Sequence, residues 1–166
     1  MERLWSPWRM EYIQANKDQP DADEGCVFCG LLDGTGEGER ILARSELAFV
    51  TLAKYPYNPG HLLVLPTRHV GELEDLTAEE HAAIDALLAR GIRALRTAAD
   101  PHGFNVGLNL GRVAGAGIPA HLHWHVVPRW GGDTNFMPVV GQTRVLPELL
   151  AESDAKLRPL FEAEES

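Results

Sequence analysis

Between residues 40 and 66 the apolar positions fall in short runs: RILA at 40–43, LAFVTL at 47–52 and HLLVLP at 61–66. Such runs, rich in Leu, Val and Phe and separated by turn chemistry such as YPYNPG, read as strands. The period then lengthens. Ile84, Leu87, Leu88, Ile92 and Leu95 recur at helical spacing, and Thr77 with Glu80 makes a capping-box pattern ahead of them. This predicts one long helix from Thr77 to about residue 98, with Gly91 as a weak point inside it. Phe104, Val106, Leu108 and Leu110 alternate, so FNVGLNL at 104–110 is a further strand. After the loop GRVAGAGIPA at 111–120, HLHWHVVP reads as another. The end, LPELLAESDAKLRPLFEA, is helical in pattern, with Pro159 expected to interrupt or bend it. Antiparallel strands around one long helix, without βαβ alternation and without a GxGxxG or Walker pattern, predict an α+β fold.

Composition adds little to this and removes several functions. The 166 residues suit one domain spanning 1–166, with an arm over about residues 1–20 in which Trp5 and Trp8 sit among charges. A formal net charge of −9 argues against bulk binding to nucleic-acid backbone or to anionic membrane. It leaves room for a small phosphorylated substrate held by a few local donors. No apolar run approaches the roughly eighteen residues of a membrane span, and the charged N-terminus lacks a signal core. The expected location is cytoplasmic. In that reducing setting the only cysteines, Cys26 and Cys29 in CVFC, suggest metal or redox use rather than a structural disulfide.

The chemistry concentrates in HLHWHVV. In a strand, His121, His123 and His125 share one face, while Leu122, Trp124 and Val126 share the other. The apolar side can pack on the helix, which leaves the histidines toward a cleft. Three uses fit: separately hydrogen-bonded surface histidines, ligands of a metal, or nucleophilic catalysis by one imidazole. Gly111, Gly115 and Gly117, just upstream, allow backbone N–H groups to approach an anion, and Arg112 adds charge there. Such a loop beside histidines suits a phosphate-ester or anhydride site. Arg68 and Arg129 read as solvated surface, as do His81 and His102.

HLHWHVV resembles the alternating signature of the histidine-triad superfamily of nucleotide hydrolases and transferases. NPGHLLVLPTRH at 58–69 and HGFNVGLNLGRVAGAG at 102–117 resemble that family's strand before the helix and its nucleotide-binding strand and phosphate loop. RLWSPWRMEYI, YPYNPGH and HVVPRWGGDTNFMPVVGQTRVLPELL resemble a narrower group, the bacterial diadenosine tetraphosphate phosphorylases. The resemblance implies the histidine-triad fold: an antiparallel sheet packed by one long helix and a C-terminal helix. By matched position, it makes His123 the nucleophile that forms a nucleotidyl-imidazole intermediate. His125 is implied to contact phosphate, His61 to support the site, Asn109 to lie near ribose and phosphate, and Trp130 to meet the substrate. The same resemblance implies a structural zinc on Cys26, Cys29, His69 and His121. The implied partners are diadenosine polyphosphates, ATP, ADP and phosphate, together with a second copy of the chain in a homodimer.

One departure matters. Many hydrolases of the family place a serine in the loop before the triad, whereas AGAGIPA here has no hydroxyl. Besides a phosphorylase, the residues also admit a hydrolase of nucleoside phosphoramidates or other nucleotidyl conjugates. A zinc-containing nucleotide-binding module without catalysis is the third reading.

Overall fold

Among the described residues, five strands form one antiparallel sheet in the order β1-β2-β3-β5-β4. They are β1 (Ile41–Arg44), β2 (Ala48–Leu52), β3 (Leu62–Pro66), β4 (Gly103–Leu108) and β5 (Trp124–Arg129). The computed structural model describes residues 25–35, 40–133 and 146–163. The expected N-terminal arm and the stretch 134–145 lie outside these. The helices among the described residues are α1 (Val27–Asp33), α2 (Ala78–Ala99) and α3 (Leu150–Glu162). This is the expected α+β architecture, antiparallel sheet against one long and one C-terminal helix.

Alternation along the strands gives the sheet two different faces. Ala48, Val50, Leu52, Leu62, Val64 and Val126 point to one side, where Ile84, Leu87 and Leu95 of α2 and Leu157 and Phe161 of α3 complete the main core. Phe49, Leu63 and Leu65 point to the other, where Phe28 of α1 covers them. The helix α2 starts as its sequence predicts. Thr77 Oγ1 accepts from the Glu80 N–H at 3.2 Å, and Glu80 Oε2 accepts from the Thr77 N–H at 2.8 Å. Arg68 holds the buried Glu80 carboxylate through both of its oxygens, which pushes that carboxyl down to about 2.

Gly91 also sits where the helix packs tightly on the sheet. It is buried, and a Cβ there would meet Leu62 Cδ1 at 3.0 Å. An alanine there would need the end of the Leu62 side chain to give by a few tenths of an ångström. Pro159 does not interrupt α3, which continues to Glu162. It forgoes one i→i−4 hydrogen bond there, and the fully buried Phe161 beyond it holds the last turn to the core. CVFCGLL, assigned no element above, forms α1. Seven residues are too few for a stable isolated helix, so packing of Phe28 must hold it.

The triad stretch also departs from a simple strand. Ladder pairing of β5 with β3 begins only at Val64↔Trp124, so His121 and His123 lie in the extended segment before the strand. Pro66 brings no N–H to prolong the ladder. Leu122 instead donates its N–H to the Val70 carbonyl at 2.8 Å.

Candidate functional site

Register places the histidines on the sheet face opposite the long helix. His125 pairs directly with Leu63, a residue of the smaller cluster, and Trp124 with Val64 of the main core. The expected open cleft is partly filled. His121 is fully buried and His123 is 6% exposed, because Phe28 lies over both, with ring centroids at 5.6 and 5.2 Å. Ile118, at the end of the glycine loop, packs on the same cluster.

His121 faces two cysteines. Its Nδ1 is 3.4 Å from Cys26 Sγ and 3.6 Å from Cys29 Sγ, while His69 Nδ1 is 3.3 Å from Cys29 Sγ. A tetrahedral zinc, with Zn–S of about 2.3 Å and Zn–N of about 2.0–2.1 Å, sets neighbouring S and N roughly 3.6 Å apart. The four ligand atoms all lie within 4.8 Å of one another. The outer contact fits as well: His121 Nε2 donates to the Pro66 carbonyl at 2.9 Å, leaving Nδ1 as the lone-pair nitrogen toward the thiolates. Donor set, spacing and tautomer all suit a closed zinc site.

His123 has the opposite arrangement. Its Nδ1 donates to the His121 carbonyl at 2.8 Å, so the lone pair resides on Nε2. Burial pushes its pKa below the ordinary histidine value, against the pull of that carbonyl. His125 is held down to about 4, chiefly by burial and then by the neighbouring His123. A ring contact at 5.2 Å joins the two. His61, fully buried in the turn before β3, places Nε2 3.0 Å from His125 Nδ1. That turn needs its glycine: Gly60 has φ +75°, and a Cβ there would come within 2.8 Å of Leu95 Cδ2. Ser153 of α3 accepts the Gly60 N–H at 3.3 Å and so ties the C-terminal helix to this turn.

The other expected residues divide. Asn109 directly follows β4, whose ladder with β5 ends at Leu108↔Trp124. Gly115 sits in the loop as expected, with φ +100°, but its N–H donates to the Arg112 carbonyl at 3.0 Å, closing a turn. Gly117 follows, partly buried. Trp130 is not drawn into the histidine cluster. Its indole N–H donates to the Ala99 carbonyl at 3.3 Å, at the end of α2. Arg129, read as solvated surface, is paired: Asp133 binds its guanidinium through both oxygens, at 2.5 and 2.8 Å. Asp133 also accepts from Asn58 at 2.9 Å and from the Trp130 N–H at 3.2 Å, locking the His61 turn to the end of β5.

Sequence reasoning passed over Tyr57, Phe28, Asn58 and Asp133. Tyr57 stacks on His61 and His125, with centroids at 4.7 and 5.6 Å. Only the placement of an aromatic four residues before a histidine, inside a turn-rich stretch, could have drawn attention to it.

Comparison with known proteins decides the family. The model of the HIT domain matches residues 37–132. The chain belongs to the HIT-domain family. Members of this family are nucleotide hydrolases or transferases, and the chain is an enzyme of that kind. It is 44% identical over 157 residues to the AP-4-A phosphorylase of Mycobacterium tuberculosis, covering 92% of this chain and 80% of that protein. Among solved structures, a Zn-bound histidine triad family protein from Mycobacterium smegmatis superposes with a TM-score of 0.70 at 30% identity. That match covers 87% of this chain and 98% of the other. A hypothetical histidine triad nucleotide-binding protein from Sulfolobus tokodaii reaches a TM-score of 0.70 at 26% identity, covering 84% of this chain and 94% of that one. No helix among the described residues is long and apolar enough to cross a membrane.

Proposed function

We propose that the chain is a phosphorylase of diadenosine polyphosphates working through a nucleotidyl-histidine intermediate. The observation that carries this is the His123–His121 carbonyl hydrogen bond, at 2.8 Å, which makes Nε2 of a neutral ring the available nucleophile. Nε2 attacks the α-phosphorus, a P–N bond forms, and the P–O bond to the departing nucleotide breaks. Inorganic phosphate then attacks the same phosphorus, the P–N bond breaks, and the imidazole recovers its lone pair. Diadenosine tetraphosphate would yield ATP and ADP by this route, whereas water as acceptor would give AMP.

His125 and the glycine loop would bind the transferred phosphate, with Asn109 at the ribose. With the Gly115 amide engaged by the Arg112 carbonyl and no hydroxyl in AGAGIPA, His125 and Gly117 would carry more of the phosphate contact. Trp130 would reach the substrate from the rim, beyond the histidine cluster. Cys26, Cys29, His69 and His121 would hold a structural zinc, which ties α1 to the triad segment and offers no open position for water. A homodimer and a cytoplasmic location belong to the same proposal. The similarity to the mycobacterial phosphorylase supports the substrate class.

Incubation with diadenosine tetraphosphate, with and without phosphate, tests the proposal by separation of products. ADP that depends on added phosphate is expected. AMP formed without phosphate would make the protein a hydrolase instead. Absence of turnover on this compound and on an adenosine phosphoramidate would leave a binding module.

A further inference from the structure

The two triad histidines of β5 and its approach are set in opposite tautomers, and the device that sets the second lies outside the triad. Tyr57 donates its backbone N–H to His61 Nδ1 at 3.1 Å. A nitrogen that accepts carries no proton, so a neutral His61 is protonated on Nε2. That Nε2–H points at His125 Nδ1, 3.0 Å away, which must accept. A neutral His125 then carries its only proton on Nε2. That atom is buried and has no hydrogen-bond partner among the described residues. A buried donor without an acceptor is costly unless something arrives to accept from it. A phosphoryl oxygen beside His123 has that chemistry.

The Tyr57 ring strengthens the same arrangement. It lies nearly parallel to both imidazoles, at interplanar angles of 28° to His61 and 17° to His125. A half-turn of either ring about χ2 would put carbons where its nitrogens stand and break the hydrogen bond between them, and the stacked Tyr57 ring crowds the path of that turn. Tyr57 is itself fixed in sequence space by the turn: Asn58 donates to Pro128 O and to Asp133, and the Asn58 carbonyl accepts the His61 N–H at 3.1 Å.

We infer that Tyr57 is a positioning residue that, through its amide on His61 and its ring over His61 and His125, holds His125 as an Nε2–H donor toward substrate oxygen. The use of that donor rests on the function proposed above, but the tautomers do not. His123 presents a lone pair and His125 a proton, two residues apart, without either imidazole being charged.

Long-range ¹H–¹⁵N correlation spectra of the zinc-loaded protein at neutral pH read the tautomers without substrate. The expected pattern is Nε2–H for His61 and His125 and Nδ1–H for His123. A His125 protonated on Nδ1 overturns the inference even if turnover is normal. Turnover failing on every nucleotide tried, with the tautomers as stated, would instead remove the proposed function and leave the positioning intact. Tyr57→Ala is expected to average the His61 and His125 signals and to lower kcat about tenfold with little change in KM. Tyr57→Phe should restore both. An alanine variant with unchanged spectra and kcat would dismiss the ring. Should that variant fail to fold, the wild-type spectrum still decides the amide's part.

Discussion

The two faces of one sheet solve different problems. On the α2 side, seventeen of the described residues join a single buried apolar cluster, and what matters is volume. On the other side the buried cluster shrinks to Phe28, Phe49, Ala53, Leu63 and Leu65, and the remaining space goes to histidines and thiols. There, each imbedded ring is defined by its hydrogen-bond partners rather than by its shape: Pro66 O for His121, His121 O for His123, His61 for His125. A sheet can thus carry stability on one side and proton placement on the other, since neighbouring residues in a strand never share a face.

This contrast can be broken from either side. The largest effect is expected from His123→Asn, which should lower turnover of diadenosine tetraphosphate by at least about 10³-fold while the melting temperature stays close to that of the parent. A variant that retains turnover would move the nucleophile elsewhere. On the opposite face, Phe161→Ala should cost about 3–5 kcal/mol in denaturant unfolding yet leave the histidine tautomers unchanged. A changed tautomer pattern would show the faces to be coupled more tightly than their separation implies.

Cys26→Ser should abolish metal binding by elemental analysis, from about one zinc per chain to none, and lower stability as well. Retained zinc would exclude Cys26 as a ligand. The pH response is smaller and has a definite sign. His125 is held near 4 in the folded chain against about 6.5 when unfolded, so the unfolded chain binds the extra proton first. Stability should therefore fall as pH drops from about 6.5 toward 4, and this part of the slope should vanish in His125→Asn, as measured by unfolding at stepped pH.

The sequence showed these two faces unequally. The main core was legible because its signal is periodic: Ile84 to Leu95 at helical spacing, Thr77 and Glu80 as a cap. The smaller face was legible only where residue types are rare, as with the cysteines and histidines. Phe28 and Tyr57 were not, since an aromatic in a short helix or a turn carries no mark of what it will stack upon. Gly91 shows the same divide. Propensity treats it as a defect, while its meaning comes from Leu62 on another element. Trp130 was singled out by resemblance, but its indole contact with Ala99 depends on how far α2 extends.

The hydrogen bond from the Gly60 amide to Ser153 also bears on the order in which the molecule is made. His61, His123 and His125 all precede α3 in the chain. A nascent chain stopped short of Ser153 already carries every reactive ring but lacks the acceptor that steadies the first of them. Removing α3 should therefore loosen the turn that carries His61 while leaving the other two rings in place.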